Sequence, residues 1–304
     1  MDGVINLLKP AGMTSSDAVM TLRRLLGVRK IGHTGTLDPD AAGVLPVCIG
    51  KATRLFDYLM EHDKVYIGEV TLGMETDTQD AAGQIVAQTG GRLPCGQFKA
   101  LLPKFLGEIE QRPSAYSAIK IGGKRAYDLA RKGAAVEIPS RRVRIDQIEL
   151  LRCWEDRRYL LRVACSRGTY IRTLAADLGT AAGCGAYLSF LLRTRSGRFC
   201  IEDAVTLEEV DAAVKNGSME DILLPMDYGV ANFPAAVVAP KWKRRLQSGA
   251  KIDPAWLERP IENAATVRVY CDGEFYGMAR PDTGKEKLWR FGAMLWSGGG
   301  EVCV

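Results

Sequence analysis

The sequence predicts an α+β protein with a mixed, mainly antiparallel sheet, followed by a small β-rich tail. Three observations predict it. Strand-like and helix-like segments follow one another without the regular βαβ alternation of a doubly wound fold. Residues 143–150 and 159–165 alternate like half-buried strands. The chain also changes character across Gly229 to Pro234; beyond it, residues 267–271, Asp272-Gly273 and residues 274–279 give a strong hairpin signal. The expected domains are therefore residues 1–232 and residues 234–304.

In chain order, residues 4–8 are apolar and β-compatible and end at Lys9-Pro10, where proline stops a ladder. Ser15 and Ser16 are good N-caps for a helix to Leu26, with Val19, Leu22 and Leu26 on one face and Gly27 as its stop. Residues 31–50 are Gly-rich and weakly periodic and read as a loop. Residues 65–72 and 84–88 read as strands. Residues 95–106 place Phe98, Leu101, Leu102 and Phe105 on one helical face. Residues 116–121 read as a strand entering a turn at Gly122-Gly123, then a short helix over 125–132 stopped by Gly133. Thr169 opens a helix over 170–182, and Thr206 with Glu209 forms a capping box for one ending near Gly217.

Of the 304 residues, 47% are hydrophobic and 25% charged, as in an ordinary globular protein. A net charge of +5 permits nucleic-acid binding without implying it, so the placement of the charges must decide. The eight cysteines form no C-x-x-C pair, which reads as mostly reduced, buried small hydrophobes rather than a zinc site or disulfide scaffold. With only His33 and His62, a His-based metal site and Ser-His-Asp chemistry are poorly supplied. No signal peptide and no bilayer-length apolar run is visible, so a cytoplasmic protein is expected. Nucleotide-binding glycine motifs are absent, and no cofactor is expected.

The most informative stretch runs from Gly32 to Pro46. Asp38 precedes Pro39, which pushes its backbone toward β or polyproline geometry and fixes the next φ. A carboxylate is thereby held on a stiffened loop among glycines that allow close backbone approach. Asp-Pro is also the ordinary way to cap a helix, and on its own it carries no chemistry.

The stretch resembles the second motif of the TruB family, bacterial enzymes that make pseudouridine-55 in the T-loop of tRNA. The opening from Asn6 to Ser15 resembles that family's first motif. Lys64-Val65-Tyr66 with Leu72-Gly73 is similar to the strand carrying its active-site tyrosine. Pro113 to Lys120 and Cys165 to Leu174 match two further blocks. One departure is Ala42, where the family often has Ser or Thr. The resemblance implies a pseudouridine synthase fold and, more loosely, a PUA-like β-barrel tail that binds RNA.

It also implies roles. Asp38 is the nucleophile or base, a carboxylate being what the rearrangement of an N-glycosidic bond requires; whether it attacks the sugar, attacks the base or abstracts a sugar proton is left open. Arg172 pairs with Asp38, keeps it ionised and lowers its pKa. Tyr66 stacks on a uracil flipped out of the RNA. His33 enters the gap left by the flipped base, and Lys9 and Lys120 contact phosphate or hold loops. Without the resemblance, Tyr66 reads as core and Arg172 as a solvent-facing helix residue.

Three basic runs suggest a phosphate-tracking surface: Arg23, Arg24, Arg29 and Lys30; Arg193, Arg195 and Arg198; and Lys241, Lys243, Arg244 and Arg245. The expected partner is the tRNA T-stem-loop, bound by a monomer without guide RNA or membrane. A non-catalytic tRNA-binding protein of the same fold is the alternative, though it has no need of Asp38, Tyr66 and Arg172 together.

Overall fold

The computed structural model describes residues 1–114, 116, 120–121, 124–126, 138–261, 264–283 and 288–296. Its centre is a nine-stranded sheet. Strand β1 (Gly3–Lys9) pairs with β3 (Ala42–Ile49), whose other edge takes the short β2 (Ile31–His33). The order continues through β12 (Ala186–Ser196), β4 (Lys64–Leu72), β11 (Arg158–Cys165), β10 (Arg141–Trp154) and β7 (Gly107–Gln111), with β13 (Phe199–Cys200) turned back on β12. Every neighbouring pair is antiparallel except β3 with β12, so the sheet is mixed and mainly antiparallel as expected. Two small hairpins, β5–β6 (Met74–Thr76, Ile85–Gln88) and β8–β9 (Lys120–Ile121, Lys124–Arg125), stand off it.

Residues 31–50 are not a loop. Seven of the eight residues of β3 are buried, so the strand shows none of the alternation that marks a one-sided strand, and Gly43 and Pro46 disguise it further. Gly43 is required: its φ is +115°, and a Cβ there would lie 2.2 Å from the Arg193 carbonyl oxygen. Between the strands only residues 34–41, which carry Asp38, lack strand structure. Asp38 caps no helix, since β3 follows it.

Helix α1 (Ser15–Leu26) is capped by Thr14 in a reciprocal box with Asp17, one residue before the predicted caps, and closes on Gly27 in the left-handed region. Short helix α2 (Phe56–Met60) precedes β4, and α3 (Cys95–Leu101) buries Phe98, whose ring stacks on Tyr159 at 3.7 Å. Helix α4 (Ile171–Ala181) has no side-chain cap of its own: the Thr169 hydroxyl instead donates to the Ser166 carbonyl. Gln111, on β7, accepts from the Tyr170 amide at 3.0 Å and donates to its carbonyl at 3.2 Å, so the sheet fixes the start of α4. Helix α5 (Leu207–Asn216) has the predicted box of Thr206 and Glu209. The helix expected over 125–132 lies outside the described residues apart from its first two.

The tail forms a four-stranded sheet, β14 (Ala235–Val237), β15 (Val267–Cys271), β16 (Glu274–Pro281) and β17 (Trp289–Met294), with short helix α6 (Lys243–Gln247) beside it. Its hairpin turns on Asp272 and Gly273, both at positive φ. Among the described residues this sheet does not close into a barrel. It is not a loosely tethered module either. Met278, Ala293 and Leu295 share one buried cluster with Leu55, Leu59, Phe199 and Val230, and the Tyr270 hydroxyl donates to Asp227 at 2.5 Å.

Of the seven described cysteines, all free, only Cys48, Cys165 and Cys271 are buried; the other four are partly exposed, fewer buried than expected. No helix among the described residues is long and apolar enough to cross a membrane.

Candidate active site

The loop carrying Asp38 is held from three sides. The Lys9 ammonium donates to the carbonyls of Pro10 (2.7 Å), Met13 (2.6 Å) and Pro39 (3.1 Å). The Ser15 hydroxyl both donates to the Leu37 carbonyl and accepts from its amide, at 3.0 and 2.9 Å. The Arg193 guanidinium donates to Gly35 O from Nη2 (3.1 Å) and to Val44 O from Nε (2.7 Å). The loop backbone on both sides of Asp38 is thus pinned by buried side chains from three other segments.

Arg172 meets it from the first turn of α4. Its Nε lies 3.0 Å from Asp38 Oδ2 and its Nη2 3.3 Å from Oδ1, a two-point grip. The remaining donors go to Thr78 O (3.0 Å), Asp80 Oδ2 (3.3 Å) and Tyr116 O (3.2 Å). Asp80 is itself fixed by the Thr78 hydroxyl and the Ala82 amide. Arg172 therefore bridges two carboxylates. Nothing in the sequence singled out Asp80, Ser15 or Gln111 for these positions.

The expectation that Arg172 lowers the pKa of Asp38 is half right. Burial pushes the carboxyl up, Arg172 pulls it down, Asp80 pushes it up again, and the net shift is upward. The carboxylate still opens into a cavity of about 640 Å³, with 38% of its side chain exposed.

Tyr66 forms the facing wall. Arg193 stands directly opposite it across the β4–β12 ladder; burial raises the phenol's pKa and the nearby Arg193 charge draws it back. Lys64, Arg141, Arg142 and Arg167 also line the cavity, and Asp38 is the one acid among its described lining residues. The sequence had placed none of these four cations at a site.

The other predicted contacts divide. Lys9 is fully buried, its ammonium bonded to three loop carbonyls. Arg193 is also buried, at 1% exposure, so it is no part of a solvent-facing basic run; strand β12 turns it inward while Arg195 and Arg198 stay exposed. His33 is half-buried on β2 and does not line the cavity. Lys120 lies on β8, its backbone paired with Arg125.

Residues 23–171 match the model of the TruB family pseudouridylate synthase N-terminal domain, and residues 172–231 match the tRNA pseudouridylate synthase B C-terminal domain. The tRNA pseudouridine synthase B of Moorella thermoacetica is 48% identical over 298 residues, covering 92% of this chain and 95% of that one. That of Alkaliphilus oremlandii is 43% identical over 91% of this chain and 92% of its own. The chain belongs to the TruB family. As a TruB-family tRNA pseudouridine synthase it is an isomerase. Its fold also superposes, with a TM-score of 0.76 and 27% identity, on a chain from an H/ACA RNP bound to a substrate RNA containing 2′-deoxyuridine, covering 97% of this chain and 85% of that one. It superposes also on a chain from a Cbf5-Nop10-Gar1 complex, 30% identical, with a TM-score of 0.73 over 92% of this chain and 78% of that one.

Proposed function

We propose that this TruB-family enzyme converts uridine 55 in the T-loop of tRNA to pseudouridine, with Asp38 acting on a flipped-out base and without a guide RNA. The observation that carries the reading is the Asp38–Arg172 pair at the cavity wall, faced by Tyr66. In the reaction the N1–C1′ bond breaks, the uracil turns, a C5–C1′ bond forms, C5 loses its proton and N1 gains one. Atoms balance without any redox agent or energy source. A loop carboxylate beside a cavity of nucleotide size is the group such a rearrangement needs.

The roles follow from position. Arg172 keeps the carboxylate ionised and orients it through its planar fork. Tyr66 offers a ring to the extruded base, offsetting lost base stacking by roughly 1–3 kcal/mol. The cations of the rim attract the polyanion. His33 and Lys120 are assigned to the RNA-facing surface on the strength of their motifs, and the tail to the far end of the tRNA as a PUA-like module. Guide-free action is supported by identity: 43–48% with the two synthases named above, against 27–30% with the chains from the H/ACA RNP and the Cbf5-Nop10-Gar1 complex; a cytoplasmic monomer is proposed with it. Incubating the purified protein with unmodified tRNA and mapping pseudouridine by mass spectrometry tests the proposal. Modification confined to the T-loop uridine is expected; an unmodified T-loop overturns it.

A further inference from the structure

The cavity holds a cation that the proposed chemistry does not use. Lys64 opens β4 two residues before Tyr66, on the same face of the strand. It is buried, at 7% exposure, and lines the cavity with Asp38, Tyr66 and Arg193. Two of its three ammonium protons are committed to backbone carbonyls, those of Met60 at 3.0 Å and of His62. Both acceptors are neutral. Among the described residues no carboxylate lies within ion-pair distance of it, whereas Arg172 has Asp38 and Asp80 and Arg167 has Glu61.

A buried ammonium is costly unless an anion meets it. No ion pair meets it among the described residues: Arg193 from β12 opposes its charge, Cys165 and Asp63 favour it, and Arg167 opposes it again. Desolvation then dominates and brings its pKa down to about 8. Its side chain lines the same cavity as Tyr66, the ring on which the target base is proposed to lie.

We infer that Lys64 binds a backbone phosphate flanking the flipped uridine, donating its third ammonium proton to a non-bridging oxygen. The inference rests on the reading of Asp38 and Tyr66 given above. With the base on Tyr66 and the glycosidic bond at Asp38, the sugar–phosphate of the same nucleotide falls along β4 toward Lys64. The phosphate completes the charge of the site only when the substrate is seated, so a cation otherwise unfavourable in the free protein becomes a reporter of correct docking.

The test uses tRNA carrying a single neutral methylphosphonate on the 5′ or the 3′ side of the target uridine, with the wild type, Lys64→Gln, Lys64→Arg and Asp38→Asn. Glutamine keeps an amide donor for the two carbonyls and removes the charge. Wild-type enzyme is expected to lose roughly tenfold in affinity for one of the two modified RNAs, the contribution of one charge-assisted hydrogen bond. Lys64→Gln should lose about the same with ordinary tRNA, show a salt dependence shallower by about one in slope, and suffer no further loss from the methylphosphonate. Lys64→Arg should keep the slope. A wild type indifferent to both modified RNAs overturns the inference whether or not the variants fold. So does a methylphosphonate penalty as large in Lys64→Gln as in wild type. Asp38→Asn separates the two levels: if it is inactive while Lys64→Gln binds normally, only the phosphate assignment fails; if it is active, the reading of the site fails with it.

Discussion

Arg193 stands opposite Tyr66 across the β4–β12 ladder and holds the loop bearing Asp38 through Gly35 O and Val44 O. One buried guanidinium thus links the strand beside Tyr66 to the loop that carries Asp38. Lysine has the charge but not the fork, and leaves at least one of these carbonyls unpaired, at about 1–3 kcal/mol. Arg193→Lys is expected to lower the melting temperature measurably. Its single-turnover rate should fall on the order of 100-fold, with tRNA affinity changed far less. A loss of affinity alone would instead mean that Arg193 serves the RNA.

Arg172 grips Asp38 with two nitrogens and holds Asp80 with a third. Arg172→Lys keeps a positive charge and cannot make all these contacts, so most of the activity should go while tRNA affinity stays near wild type. Single-turnover rates equal to those of wild type would reject the orienting role.

Asp38 has a pKa raised by burial. An acid whose folded pKa lies above its unfolded value binds its proton more firmly in the native state. Its contribution to stability therefore falls as pH rises through that window, and the cost is present above it. Asp38→Asn removes the cost. The variant is expected to melt at or above the wild-type temperature at about pH 8, with the difference narrowing toward acid. Pseudouridine formation should drop by several orders of magnitude, about 1.4 kcal/mol of barrier per tenfold, with tRNA affinity kept. In the wild type, activity should fail on the acid side at a higher pH than an ordinary aspartate would give. Tritium release from uridine-labelled tRNA with enzyme in excess, followed across pH, checks both.

Removing residues 234–304 uncovers Leu55, Leu59, Phe199 and Val230, which the tail now covers. The main sheet shares no strand with the tail and should persist. The truncated protein is expected to keep its circular dichroism signature, melt at least several degrees lower and bind tRNA more weakly. Loss of the signature would show the two sheets to be one folding unit.

No metal-ligand spacing or nucleotide-binding glycine motif is present in the sequence. Activity should be unchanged in EDTA without added nucleotide. Loss on chelation, restored by one metal, would count against this.

The sequence by itself determined the elements whose signals are local. The α1 and α5 boundaries follow from capping residues and stop glycines within one turn, and the tail hairpin from Asp272-Gly273. The resemblance pointed to Asp38, Tyr66 and Arg172, and the fold brings all three to one cavity. What the sequence left hidden depends on contacts between distant residues. Strand β3 was masked because burial on both faces erases the period of two that betrays a strand. Asp80 meets Arg172 from 92 residues away, and no spacing announces it. Arg193 reads as one of three surface arginines until the register of β12 turns it inward. The direction of the Asp38 shift belongs to the same class. A sequence shows which charges exist, but only tertiary structure sets how much water each keeps, and desolvation here outweighs the ion pair.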